Sequence, residues 1–148
     1  MKHKRHFSGQ SLLEFALIFP LVALLVIGFF DLGRAVFYYS SLSNAVREAS
    51  RDGIVMAYAN FPTREAFIAY LEDQVEDYGF GLNDIIVDVT FVNKPDSEFI
   101  EKVEVTGIYC FNPVTPMITN IIGAACSNGT PGFDLNAVSV MQMEPGTR

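Results

Sequence analysis

The chain has 148 residues, 50 % of them hydrophobic, and a formal net charge of −7. That length accommodates one small domain plus an anchor, and the apolar content excludes a disordered chain. Lys2, Lys4 and Arg5 carry +3 ahead of Gly9, which leaves −10 for everything after it (−7 less +3), so no basic patch is available for phosphates and a nucleic-acid partner is excluded.

The first element is the stretch Ser8 to Phe30, a short polar lead, one glutamate and a long apolar run. Phe15 to Phe30 carries no charge, and at about 1.5 Å per helical residue it nearly spans a hydrocarbon core of roughly 30 Å. Leu12, Leu13 and Leu32 complete the span and bring Glu14 and Asp31 to its two ends. Basic residues beside a first apolar segment stay on the cytoplasmic side, so the N-terminus is expected inside and the bulk of the chain outside. A cleavable secretory signal with Gly33-Arg34-Ala35 as its cut is the weaker reading, because an arginine sits in the motif and the helical pattern runs through it.

Glu14 has two readings on local physics. Ser11 and Glu14 fit a capping box that starts a helix. An ionisable group at the edge of a membrane segment is also a functional candidate, because it is costly there unless paired. Pro20, inside the apolar run, removes one backbone hydrogen bond and is expected to kink or loosen the helix, which membrane helices tolerate.

Ser8-Gly9-Gln10-Ser11-Leu12-Leu13-Glu14-Phe15-Ala16-Leu17, followed by Pro20 and by Asp31-Leu32-Gly33-Arg34, resembles the N-terminal signature of the TadE-like pseudopilins, minor pilins of the tight-adherence branch of the type IV pilus systems. The resemblance is close from Gly9 to about Phe37 and sparse beyond. It implies cleavage between Gly9 and Gln10 by a membrane prepilin peptidase, with Glu14 as the fifth mature residue and Phe15 as the aromatic beside it. In related pilins such a glutamate pairs with the new α-amino group of a neighbouring subunit as it leaves the membrane. Desolvating both charges together favours addition in register, and removing either leaves one buried alone. Pilins of the main branch begin with a methylated phenylalanine, whereas the mature residue here is Gln10.

Beyond Asp31 the helical period continues through Leu32, Val36, Tyr39, Ser43, Val46, Ser50 and Gly53, so one rod of roughly 65 Å is expected to Gly53 or Met56, with these residues as its packing stripe. Arg34, Arg47, Glu48, Arg51 and Asp52 read as its solvated face. A turn over Tyr58 to Pro62 leads to Thr63 as the N-cap of a second helix ending near Tyr78, with Phe67, Ile68, Leu71, Val75 and Tyr78 inward. Glu72, Asp73, Glu76 and Asp77 form its outer, solvated face, since no calcium-loop spacing accompanies them. Gly79-Phe80-Gly81 ends the helix.

Three strands are expected next. Ile85, Val87, Val89 and Phe91 alternate with Ile86, Asp88 and Thr90, and a turn over Asn93 to Ser97 containing Pro95 follows. Val103, Val105 and Gly107 alternate with Glu104, Thr106 and Ile108 in the second strand, and Leu135 to Met143 is the third, with Val138 and Val140 sharing a face. The connection from Asn112 to Gly132 is long for a compact domain unless stapled or functional. Cys126 lies in it and Cys110 at the end of the middle strand; outside the cytoplasm a single disulfide is favoured over two buried thiols, and a loop of this size would stabilise by roughly 3 kcal/mol. Asn128-Gly129-Thr130 has the form of a glycosylation sequon, a three-residue match of little weight.

The expected organisation is a basic leader over 1–9, a long N-terminal helix over 10–56 with its transmembrane segment at 12–32, and an extracytoplasmic α+β domain over 57–148. A long N-terminal helix bearing a small antiparallel sheet also resembles the pilin fold. No catalytic machinery is apparent: both histidines, His3 and His6, lie in the leader, and nucleophile-elbow, P-loop and dinucleotide motifs are missing. A carboxylate pair such as Asp88 with Glu104 is conceivable on neighbouring strands, but solvent-facing carboxylates are far more common than catalytic ones. No metal-ligand spacing, cofactor motif or small-molecule site is apparent.

Two functions from different classes remain. A single-pass anchored extracytoplasmic binding or sensor module would use the same topology but leaves Gly9 before Glu14 unexplained. The resemblance implies instead a minor pilin or pseudopilin of a tight-adherence, Flp-type pilus or related secretion apparatus. Its implied partners are the prepilin peptidase, the major pilin, a companion minor pilin and an ATPase-driven inner-membrane platform. Its implied location is the inner membrane and then the extracellular pilus.

Overall fold

A single helix, α1 (Gln10–Met56), carries the whole molecule. Its 47 residues make a rod of about 70 Å. The structure, a computed structural model, describes residues 9–56, 60–93, 100–116 and 118–142. Residues 1–8 of the basic leader, Tyr58 of the first expected turn, Pro95 of the second, Met117 and Met143 lie outside the described residues. From Leu12 to Phe30 the helix is uncovered, and it is long and apolar enough to cross a membrane.

The remaining elements pack on the outer half of α1. They are α2 (Arg64–Tyr78), β1 (Ile86–Asn93), β2 (Ile100–Phe111), the short α3 (Ile118–Ile122) and β3 (Phe133–Gln142). The strands form one antiparallel sheet in the order β1-β2-β3. The molecule is therefore α+β, a long N-terminal helix packed on a three-stranded sheet with a further helix. Thr63 caps α2 from extended backbone, its hydroxyl accepting the Ala66 N–H at 3.2 Å. Phe67, Leu71 and Val75 turn inward from α2, whereas Ile68 is half-buried and Tyr78 is exposed. Glu72, Asp73, Glu76 and Asp77 are all exposed, as a solvated face requires.

One core forms between α1, α2 and the inner sheet face. Leu42, Ala45, Val46 and Ala49 of α1 meet Phe67, Leu71 and Val75 of α2 and Val103, Val105, Ala137 and Met141 of the sheet. This corrects the expected packing stripe. Val46, Ser50 and Gly53 are buried, but Leu32, Val36 and Tyr39 face away from the sheet, and the buried line instead runs Asp31, Leu42, Ala45, Ala49, Gly53 with Arg34 and Tyr38 half-buried along it. The physical reason is close approach. At Gly107 an added Cβ would stand 2.7 Å from Val46 Cγ2 and 3.0 Å from Leu42 Cδ1, and at Gly53 one would stand 2.8 Å from Leu71 Cδ2. Gly107 lets the sheet come up to α1, and Gly53 lets α2 do the same. Val138 and Val140 do share a face, but it is the outer one.

The contacts also fix the direction of β2, antiparallel to α1. Arg34 lies over the Phe111 ring, Tyr38 stacks near Tyr109, Leu42 and Val46 abut Gly107, and Gly53 lies near Met141, the register partner of Val103. The C-terminal end of β2 and the start of β3, paired at Phe111 and Phe133, therefore lie at the end of the domain nearest the apolar span.

Candidate functional site

The first turn of α1 holds the residues expected to act in processing and assembly. The Leu13 N–H donates to the Gly9 carbonyl at 3.1 Å, so Gly9 occupies the N-cap position and helix begins at Gln10. The capping-box reading is corrected accordingly: Ser11 is already helical and is not the N-cap. The Gly9–Gln10 peptide is thus the last one before regular helix. An added Cβ at Gly9 would meet nothing within 4 Å. Gln10 and Glu14 stand at i and i+4 of α1, so an α-amino group created at Gln10 would arise one helical turn before Glu14. Phe15 is exposed beside it, with its ring centroid 5.5 Å from that of Phe19. The helix runs through Pro20 without interruption.

A second site, which sequence reasoning missed, lies at the other end of the apolar run. Asp31 is buried, and its carboxylate accepts four hydrogen bonds. Val114 N–H donates to Oδ1 at 2.9 Å; Thr115 donates to Oδ2 from both its N–H and its hydroxyl, each at 2.6 Å. Arg34 Nη1 completes the set at 3.1 Å on Oδ1. Charge-assisted bonds of this kind are among the stronger ones available to a protein. Arg34, expected on the solvated face, is instead half-buried over Tyr38 and Phe111, 5.7 and 5.4 Å from the ring centroids. Asp52, expected there too, accepts the Tyr78 hydroxyl at 2.6 Å, and Glu48 and Arg51 form an exposed pair.

The Asn112–Gly132 connection is consequently more ordered than its length suggests. Asp31 clasps its start, α3 fills its middle, and Cys110 and Cys126 are joined as a disulfide with Cα atoms 5.7 Å apart. Asp134 accepts the Ser127 N–H and hydroxyl, and the Asn128 side chain accepts from Thr130, closing the far end. The one grouping of possible metal ligands among the described residues, Cys110, Cys126 and Asp134, has both sulfurs committed to that disulfide. Asp88 and Glu104 are not directly opposed: Asp88 pairs with Thr106 and Glu104 with Thr90.

No sequence spacing links residue 31 to residues 114 and 115. The available signal was Asp31 itself, a carboxylate at the end of an apolar span that requires a partner. The two sites are separated by the span, since Glu14 and Asp31 lie about 26 Å apart along the helix axis.

An uncovered apolar helix passes unbroken into an α+β head, the arrangement expected of a pilin-type chain. Residues 9–51 match the family model described as TadE-like protein, so this stretch of the chain is similar to TadE-like, pilin-type proteins. The match ends before α2 and the sheet. No curated protein and no solved structure matches the chain.

Proposed function

We propose that this chain is a minor pilin or pseudopilin of a tight-adherence, Flp-type pilus or a related secretion apparatus, cut between Gly9 and Gln10 by a prepilin peptidase and assembled through α1 without catalysis. The observation that carries this reading is the first turn: an unhindered Gly9–Gln10 peptide at the helix start, with Glu14 one turn on and a wholly uncovered apolar face behind it. A subunit extracted from a bilayer into a filament needs such a face bare, because neighbouring subunits replace lipid around it. The major pilin, a companion minor pilin and the inner-membrane platform are the partners this reading requires, with the N-terminus inside and the α+β domain outside.

The test is the intact mass and N-terminal sequence of the protein isolated from its native membrane, read before and after reduction with thiol alkylation. A start at Gln10, with two thiols appearing only on reduction, supports prepilin processing and an outside location together. A start at Met1 favours a permanently anchored binding or sensor module, and a start near Val36 restores a secreted protein.

A further inference from the structure

The connection between β2 and β3 differs from the rest of the domain in charge. No Asp, Glu, Lys, Arg or His occurs between Glu104 and Asp134, in a chain where 18 % of residues are charged. Within it Val114 is 68 % exposed and Ile121 on α3 is 77 % exposed, so apolar side chains are presented outward where nothing in the domain covers them.

Its position supplies the reason. The apolar run gives a depth ruler: from Leu12 to Phe30 the helix measures about 28 Å, close to the thickness of a hydrocarbon core, which sets Asp31 at the outer boundary of that core. Asp31 holds Val114 and Thr115 directly, by hydrogen bonds of 2.6 to 2.9 Å. Both strands that bound the connection reach it at this same end of the domain. The headgroup layer extends only about 5–8 Å beyond the hydrocarbon, and the loop around Asp31 falls within it. The acidic face of α2 lies elsewhere: Leu71 packs at Gly53, about 33 Å farther along the axis.

We infer that the β2–β3 connection, led by Val114 and Ile121, is an interfacial element that seats on the outer leaflet at the boundary between headgroups and acyl chains. This rests on the membrane-spanning reading of α1. The occupant of the exposed apolar face is lipid, because the Asp31 clasp fixes the loop at lipid depth and an uncharged loop avoids the cost of bringing ions there. The clasp and the seat together would hold the α+β domain upright on the membrane before assembly.

Phe80 is the internal control. It is as apolar and as exposed, at 80 %, but its carbonyl accepts from Ser41 Oγ at 3.0 Å, which places it about 15 Å above Asp31, beyond the headgroups. The experiment uses the full chain with its disulfide oxidised, reconstituted at low protein-to-lipid ratio in phosphatidylcholine vesicles. Single variants Ile121→Cys, Val114→Cys, Phe80→Cys and Leu24→Cys are labelled with a nitrobenzoxadiazole fluorophore and quenched by lipids spin-labelled at shallow or deep acyl positions.

The expected result is blue-shifted emission at positions 121 and 114 relative to position 80, with quenching at least twofold stronger from the shallow label than the deep one, and the reverse order at position 24. Water-like, unquenched emission at both 121 and 114, with position 24 still quenched by the deep label, overturns the inference and leaves the span intact. Absence of deep quenching at position 24 overturns both. A blue shift at 121 and 114 that grows with protein density without lipid quenching overturns it in favour of contact with a second copy.

Discussion

Asp31 ties the β2–β3 connection to the outer end of the apolar span. Its four accepted hydrogen bonds leave little unused capacity on the carboxylate, and its neighbours Val114 and Thr115 have their N–H groups aimed at it. Asp31→Ala strands the buried Thr115 donors and the part-buried Val114 N–H, and the expected loss is about 1–3 kcal/mol. Amide hydrogen exchange checks it: the Val114 and Thr115 amides should lose protection while those of β2 near Val105 keep it. Uniform loss across the domain would show that the clasp supports the whole fold rather than the loop.

Tyr78 shows a second residue-scale coupling. Its hydroxyl donates to Asp52, and this hydrogen bond, with lesser contributions from desolvation and nearby carboxylates, pushes the phenol up to about 12. Because an unfolded tyrosine ionises near about 10, the neutral phenol favours the folded state fully below that pH, and its contribution is lost as pH rises from there through about 12. An absorbance titration of tyrosinate should therefore show that Tyr78→Phe removes a phenol titrating near pH 12. Loss of one titrating nearer 10 instead would mean that the bond to Asp52 is not maintained.

At the scale of elements, the close approach of α1 to β2 is the decisive contact. Gly107→Val places a branched side chain where a Cβ alone would stand 2.7 Å from Val46 Cγ2, and overpacking of this kind costs about 1–3 kcal/mol. Gly33→Ala, with nothing within 4 Å, should be neutral or slightly stabilising on helix propensity alone. Thermal unfolding of the two variants side by side tests this; equal midpoints would mean that the helix and sheet are not so tightly apposed. The same contact explains where reading the elements from sequence succeeded and where it failed. Alternation separated Val103, Val105 and Gly107 from their neighbours, the structure made theirs the inner face, and Thr63 marked the start of α2. Periodicity could not choose a face for α1, because apolar residues occur on several sides of its outer half, and the choice fell to Gly107, which admits Leu42 and Val46, and to Gly53, which admits Leu71.

At the scale of the whole molecule, the long bare helix and the head make separate demands on the same chain. Gly9→Leu should fold normally, since its side chain enters open space, and should accumulate as an uncut, membrane-retained precursor visible by mass. Normal removal of the leader would overturn the assigned cut. Glu14→Ala should be cut and inserted as usual but fall severalfold in filament incorporation, scored by immunoblot of sheared pili. Undiminished incorporation would remove Glu14 from the assembly step.

The local order of the residues by itself determined the apolar span, the continuous rod, the glycine and glutamate of its first turn, the second helix and the alternation of the strands. These depend on interactions between near neighbours or on transfer from water, both of which are written along the chain. Only the tertiary structure decided which face of α1 is buried, that Arg34 lies half-buried over aromatic rings, and that Asp31 holds a loop more than eighty residues away. Those depend on how closely two backbones approach and on where a buried carboxylate finds its donors, and neither has a period or a spacing in sequence.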